Sequence, residues 1–435
     1  MPLDGVPLDG VPSDGVPSDG VPAGGVPLWL GSYPAAGAGT PVGRGEGIWR
    51  AVLDPADGSL TALGADGVPG AEGPVVATPA PSFLALHPGV DVLYAVGEAA
   101  EGTVTAFAVE GHALRPLSTV AAGGADPCHL LVVEHEGAHA LLVATYTGGT
   151  LAVLPLADDG RFAPAVLAAG GPTQVHGTTG SGPRADRQEA PHAHFVARAP
   201  GGAVLAVDLG TDTLRRFRVR RGAEGLVVDP DGTAAVLPPG TGPRHLAVTP
   251  DGACLLVVGE LDGRLHVLAW DAATSTGRLL GDVPLVGDAV PTGVPSGVPG
   301  GAPGGAAPDP LPSHVTLVDG TLTVGVRGAG PALGRGPDDV LVHRRVDAAG
   351  DAAAAALLAA PAWTTALPGA WPRHHAVLAG WTVVALQHAD AVVAVRPGGA
   401  GGADAPGTDA SAADTPAVVG GRLAVPAPAC VVVGR

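Results

Sequence analysis

Histidine and arginine recur at one place in a short repeated pattern. Pro127-Cys128-His129-Leu130, Pro191-His192-Ala193-His194-Phe195, Pro243-Arg244-His245-Leu246, Pro312-Ser313-His314-Val315 and Pro372-Arg373-His374-His375 each follow a proline with imidazole or guanidinium, and Pro81-Ser82-Phe83-Leu84 keeps the frame without them. A guanidinium holds a carboxylate, phosphate or developing oxyanion through two parallel hydrogen bonds. An imidazole can move a proton near neutral pH or bind a metal. Glu260 ends the apolar run Val257-Val258-Gly259, and Arg327 ends Leu322-Thr323-Val324-Gly325-Val326. Glu260 is either a structural partner of Arg244 or, if it faces a shared channel, a general base tuned by the arginines around it.

Two patterns suggest metals. His135-Glu136-Gly137-Ala138-His139 matches the HExxH zinc signature, but that signature needs a helix, where residues four apart share a face. Here it lies between the strand-like runs Leu130-Leu131-Val132-Val133 and Ala140-Leu141-Leu142-Val143, with a glycine in the middle, so a hairpin turn is expected. His192 and His194 share a side of an extended chain and could ligate a cation. Arg244 and Arg373 in the neighbouring repeats would repel one, so anion or carbonyl recognition is expected, with no metal and no cofactor.

These residues can act together only if the chain wraps around an axis. The pattern returns at intervals of roughly 45 to 70 residues, each time followed by alternating apolar residues and a Gly/Asp turn, as in Leu246-Ala247-Val248-Thr249-Pro250-Asp251-Gly252. Short strands repeated in this way predict an all-β fold, a β-propeller of about seven blades. Residues 26–435 are expected to form this single domain, with residues 1–25 a disordered tail of Val-Pro-x-Asp-Gly units. Low-complexity loop inserts are expected near 289–310 and 398–421. The alanine run Ala352 to Ala360 reads as a loop or strand-edge segment, and Asp208-Leu209-Gly210-Thr211-Asp212 as a turn with inter-blade bonding.

Composition narrows the function. The net charge is −18 and the chain has no lysine and no asparagine. An acidic chain does not neutralise phosphates, so nucleic acid is not an expected partner. Absence of lysine excludes a Walker phosphate loop and Schiff-base catalysis. Aromatic residues make up only 3%, so the core must rest on Val, Leu and Ala. Cys128, Cys254 and Cys430 are far apart in apolar surroundings and read as buried thiols. Asp4 and Asp9 stand where a signal peptide would carry basic charge, and no run approaches the roughly 20 apolar residues of a membrane span. A cytoplasmic protein without membrane contact is expected.

The ordered set Arg187-Gln188-Glu189, His192-Ala193-His194, Asp208-Leu209-Gly210-Thr211-Asp212, Gly242-Pro243-Arg244-His245, Glu260-Leu261 and Arg327-Gly328 resembles the lactonase family of seven-bladed propellers. That family includes 6-phosphogluconolactonases and carboxy-muconate lactonizing enzymes. The resemblance implies a small-molecule lactone substrate, with one histidine of the His192/His194 pair acting with Arg244, Glu260 and Arg327. It leaves open which histidine that is. His129, Arg187, His245 and Arg373 are the substrate-binding candidates, with Arg373 suited to a phosphate or carboxylate. In the expected hydrolysis Arg244 and Arg327 hold the oxyanion, Glu260 takes a proton from water, and a histidine protonates the leaving oxygen. The alternatives are a muconate cycloisomerase using the same cations, and a non-enzymatic protein-binding propeller. Two departures bear on substrate preference: the family often has Asn where this chain has Thr145 and Val326.

Overall fold

A computed structural model describes residues 24–33, 47–286, 311–327, 339–346, 350–360, 362–396 and 418–435. The expected tail and the 289–310 insert lie outside the described residues, the tail apart from residues 24 and 25. So does most of the 398–421 insert.

Seven antiparallel sheets stand around an axis, each with four strands in order from the centre outward; the first has a fifth short strand beside it. We number the blades I to VII and letter their strands A to D from the axis. The A strands of blades II to VII are Leu84–Leu86, Pro127–His135, Ala193–Arg198, Pro243–Val248, Leu311–Val318 and Pro372–Leu378. Each starts within three residues of one of the repeated prolines. Blade I is different. Its A strand, Pro428–Val433, comes from the C-terminal end and pairs with Val26–Ser32. This closes the ring by hydrogen bonds between the two ends of the folded chain, and it explains why the first unit shows no Pro-x-His of its own.

Period-two alternation sends side chains to both faces of every sheet, so each blade is apolar on both sides. The core is therefore distributed over seven interfaces between neighbouring blades. Val143 and Ala152 of blade III meet Tyr94 and Val104 of blade II, and Leu30 and Val431 of blade I meet Val383 and Val392 of blade VII. Small residues suit this packing because adjacent sheets must approach closely along their whole length near the axis. Cys128, Cys254 and Cys430 are buried in these layers and form no disulfide.

The HExxH match is a two-residue hairpin between Pro127–His135 and Ala138–Thr145. Glu136 (φ 50°) and Gly137 (φ 74°) are both left-handed, which suits the right-handed twist of the flanking strands.

Two expectations are corrected. The alanine run is a helix, α2 in a chain whose other helix α1 is Pro164–Ala169; α2 spans Gly350–Ala359. Alanine and leucine carry the least helix penalty, and Leu357 and Ala354 dock into the apolar interface of blades V and VI. Arg344 Nη1 donates to the Ala360 carbonyl at 2.6 Å just past the helix end. Residues 418–421 are not loop: they belong to Val418–Ala424, the D strand of blade VII.

Removal of residues 426–435 takes away the A strand of blade I. The shortened chain is expected to lose the single cooperative melt of the full chain in circular dichroism; a cooperative melt within a few degrees of the intact protein would contradict closure as the source of stability.

Candidate active site

One local irregularity builds the centre of the ring. In six blades the A–B pairing slips at the start of the A strand, leaving unpaired residues: Ala429, Cys128, His194, Arg244, Ser313 with His314, and Arg373. A bulge of this kind bends the strand and re-aims the extra side chain. Ser82 occupies the same place in blade II, between Pro81 and Phe83. Ser82, Cys128, His194, Arg244, Arg373 and Ala429 line one cavity on the axis, together with Phe83, His245 and His374. The turn into the strand is set by a left-handed residue before the proline in five blades: Ala80, Asp126, Gly242, Trp371 and Ala427.

The same register gives a second ring. The residue following the B-strand partner of each turn is Tyr33, Glu98, Tyr146, Leu209, Glu260, Arg327 and Gln387 in blades I to VII. The two rings bring together groups far apart in sequence, such as Tyr33 and Arg373, which are 340 residues apart.

On one side, three guanidiniums converge on one carboxylate. Arg244 Nε and Arg327 Nη2 lie 2.7 and 3.0 Å from Glu260 Oε2, and Arg187 Nη2 lies 2.8 Å from Oε1. Glu260, Arg244 and Arg327 are buried. Burial works to raise the Glu260 pKa, and the charges of Arg327, Arg187 and Arg244 overcome it, holding the carboxyl well below the usual range. Burial and the nearby Arg327 charge lower Arg244.

Across the cavity Glu98 is held differently. Its Oε1 accepts from the Tyr33 hydroxyl at 2.9 Å, its Oε2 accepts from the Ser82 hydroxyl, and Arg373 Nη2 stands 3.7 Å away. Arg373 lies over the Tyr33 ring at 4.1 Å. Four guanidiniums face two carboxylates, which leaves two positive charges at the centre of an acidic chain.

The polar turns act as braces. Asp208 accepts from the His192 amide (2.9 Å) and from Arg215 (3.3 Å). Asp212 accepts from Gln188 (2.8 Å) and from the amides of Gly240 and Gly242 (2.7 Å each). Asp212 thus ties the Arg187 loop to the turn that delivers Arg244, the inter-blade bonding expected for this segment, while Asp208 bonds within blade IV. A side chain at Gly210 would put its Cβ 1.9 Å from the Ala190 carbonyl oxygen, so glycine is required there.

Below the cavity, imidazoles and phenyl rings form a belt. His129 lies between Phe83 (4.3 Å) and Phe195 (4.1 Å), His245 lies beside Phe195 (4.4 Å), and His314 stacks on His374 (3.9 Å). Burial is the main cause that pushes His129, His245 and His314 well below the ordinary imidazole value, with neighbouring cationic groups adding to it. The belt is neutral at neutral pH.

Of the residues singled out from sequence, Arg187, His194, Arg244, His245, Glu260, Arg327 and Arg373 gather around the axis. His194 sits in the bulge ring with Nδ1 buried and unbonded, and burial with the Arg244 charge keeps it neutral. His192 stands outside the ring. It stacks on Tyr146 (4.4 Å), and its nitrogens meet the Tyr146 carbonyl (3.0 Å) and Glu189 (3.2 Å). His129 belongs to the belt, where its Nδ1 accepts from the Val196 amide at 3.3 Å, so it does not point at a carbonyl oxygen above. Glu98, Tyr33 and Ser82 were missed. Gly97-Glu98 repeats the strand ending of Gly259-Glu260 and could have revealed the first of them. Neither departure from the family opens on the cavity: Thr145 bonds to Thr150 (2.7 Å), and Val326 packs between blades V and VI.

The family model for the seven-bladed β-propeller lactonases matches residues 27–402. The chain belongs to the seven-bladed β-propeller lactonase family. It is 29% identical over 212 residues to the 6-phosphogluconolactonase of Bacillus subtilis, a match covering 48% of this chain and 56% of that lactonase. The chain thus spans little more than half the length of this curated relative. A solved protein from Lactobacillus plantarum is similar over 94% of this chain and 100% of its own, with TM-score 0.69 and 23% identity. The periplasmic gluconolactonase of Pseudomonas aeruginosa matches over 94% of this chain and 99% of its own, with TM-score 0.65 and 23% identity. These two show the lactonase propeller fold.

Two outcomes follow for this lactonase-family site. Glu260→Gln leaves three guanidiniums around a neutral amide and is expected to cost about 3–5 kcal/mol in urea unfolding. The belt histidines His129, His245, His314 and His374 are neutral when folded, with pKa values below the unfolded one of about 6.5, so at these positions the unfolded chain takes up protons first as pH falls. Their contribution is full above about pH 6.5 and is lost progressively towards about pH 3, the value to which burial, with the Arg244 and Arg373 charges, pushes His374. The melting temperature should therefore fall between pH 7.5 and 5, and fall less in His374→Phe, since Phe83 and Phe195 already hold equivalent belt positions.

Proposed function

We propose that the protein hydrolyses a sugar-type lactone, with 6-phosphogluconolactone the first candidate and 6-phosphogluconate the product. The observation that carries this reading is the excess of guanidinium over carboxylate in a cavity floored by neutral rings. Such a site focuses positive potential on an anionic or carbonyl ligand. The name of the Bacillus subtilis relative supports the substrate class.

In this reading Arg244 and Arg327 face the lactone carbonyl, whose oxygen gains negative charge as water attacks; each such donor is worth roughly 3 kcal/mol in the transition state. Arg373 binds the phosphate or carboxylate of the substrate. Its guanidinium is only loosely engaged, 3.4 Å from Gln387 and 3.7 Å from Glu98, and so has donors free for two oxygens at once. Glu260 changes role from the sequence-based expectation. A carboxylate whose two oxygens are taken by three guanidiniums is a weak base, and its part is to gather and aim those cations. His194, neutral and with a free nitrogen, hydrogen-bonds the substrate ring.

Among the described residues the large apolar side chains most exposed to solvent, Val236, Val68, Val418 and Leu167, are spread over blades I, III, IV and VII. That distribution favours a small-molecule site over a protein-docking platform.

Proton release above the spontaneous rate should be seen with 6-phosphogluconolactone and exceed that with carboxy-muconolactone. Arg244→Ala should lower kcat/KM by about 10²–10³. Wild-type protein that accelerates no lactone in such a panel would end this reading.

A further inference from the structure

We propose that Ser82 and Glu98 form the proton-accepting unit of the site, Ser82 as the catalytic residue and Glu98 as the group that takes the proton from it; this rests on the lactonase reading. Hydrolysis needs a base, and the two obvious ones are poorly suited. Glu260 is saturated by Arg187, Arg244 and Arg327. His194 faces Arg244 and Arg373, whose charges oppose an imidazolium.

Glu98 has a different set of partners. It accepts from two neutral hydroxyls, Tyr33 and Ser82, and its nearest guanidinium, Arg373, is 3.7 Å away, beyond hydrogen-bond reach. Its two oxygens are thus held by neutral hydroxyl donors, where those of Glu260 are engaged by three guanidiniums. Ser82 is in the cavity wall beside Arg373 and opposite Arg244, while Glu98 lies one hydrogen bond behind it. The groups that face Glu98 from the other blades are Tyr33, Arg373 and the neutral thiol of Cys128, which burial raises above its ordinary value.

The chemistry balances within the site. As the oxygen of water forms its bond to the lactone carbonyl carbon, a water proton passes to Ser82 Oγ and the Ser82 proton passes to Glu98 Oε2. When the bond between that carbon and the ring oxygen breaks, its electron pair goes to the ring oxygen, which recovers the proton by the reverse path. The hydroxy acid product then loses its carboxyl proton to solvent. Tyr33 keeps its proton and, beneath Arg373, fixes the Glu98 carboxylate in place.

The test compares wild type, Ser82→Ala, Ser82→Thr, Glu98→Gln and the Ser82→Ala/Glu98→Gln double variant on the lactone that wild type turns over fastest. Ser82→Ala and Glu98→Gln should each lower kcat about 10²-fold or more with KM within about 3-fold. The double variant should lose no more than the worse single, because both act on one proton path. Ser82→Thr, which keeps the hydroxyl, should recover most of kcat. If Glu98→Gln fails to fold by circular dichroism, the Ala and Thr variants at Ser82 decide the matter. Either single variant keeping a third or more of wild-type kcat, or losses that multiply in the double variant, overturns the proposal while leaving the lactonase reading intact. Wild-type protein inert on every lactone overturns both.

Discussion

The slip in register at the head of six of the seven A strands, with Ser82 holding the same place in blade II, is the constraint from which the site follows. An ordinary antiparallel pair would send alternate side chains into the two blade interfaces and none along the axis. One unpaired residue, placed just after a proline and a tight turn, breaks the alternation where the chain is closest to the centre. The same slip determines which residue follows the B-strand partner, so Glu98, Glu260 and Arg327 are delivered by the pairing that delivers Ser82, Arg244 and Ser313. Two rings of chemistry come from one backbone feature repeated around the circle.

Burying several guanidiniums is costly, and the partner groups show how the cost is met. Arg244 is fully enclosed, yet it has Glu260 at 2.7 Å, the Ser313 carbonyl at 2.5 Å and His245 Nε2 at 3.2 Å. Arginine is suited to such a place because its planar fork can satisfy several acceptors at once and is more weakly hydrated than an ammonium group. The belt beneath adds no charge. His245 and His314 meet through their Nδ1 atoms at 2.9 Å, so one must donate and the other accept, which two neutral rings can do and two imidazolium ions cannot. A neutral, poorly solvated floor strengthens the field of the arginines above it.

The spacing of prolines made the propeller, six of its A strands and the shared place of Arg244 and Arg373 legible, while strand endings and the family resemblance added Arg187, Glu260 and Arg327. Local patterns failed where pairing is not local. The A strand of blade I is contributed by Pro428–Val433, so Tyr33, which acquires its neighbours from that closure, gave no signal near Val26–Ser32. The His192/His194 pair was ambiguous because both point the same way in an unbroken strand, and only the slip between Ala193 and Phe195 separates them. Glu98 was passed over since its basic partner, Arg373, lies 275 residues on. The alanine run was misread as irregular because Ala354 and Leu357 are matched by the interface between blade VI, to which the helix belongs, and blade V, whose residues lie far away in sequence.

The site also holds the ring together where apolar packing is thinnest. The interface of blades VI and VII has five buried apolar residues in its cluster, Leu341, Val384, Leu386, Val393 and Val395, against fifteen where blade II meets III and fourteen where V meets VI. Polar contacts take over there. The Ser313 hydroxyl reaches the Pro372 carbonyl at 2.5 Å, Thr316 meets His375 at 2.9 Å, and Asp339 accepts from the Trp371 amide at 2.9 Å. Arg327 lies over Trp371 at 5.1 Å, while Arg244 holds the Ser313 carbonyl from blade V. A cation aimed at the cavity is therefore also a fastener between blades. Changes to it act on ring closure and on chemistry together, which is why variants at Ser82 and Glu98, across the cavity from that seam, separate the two effects better than any arginine substitution.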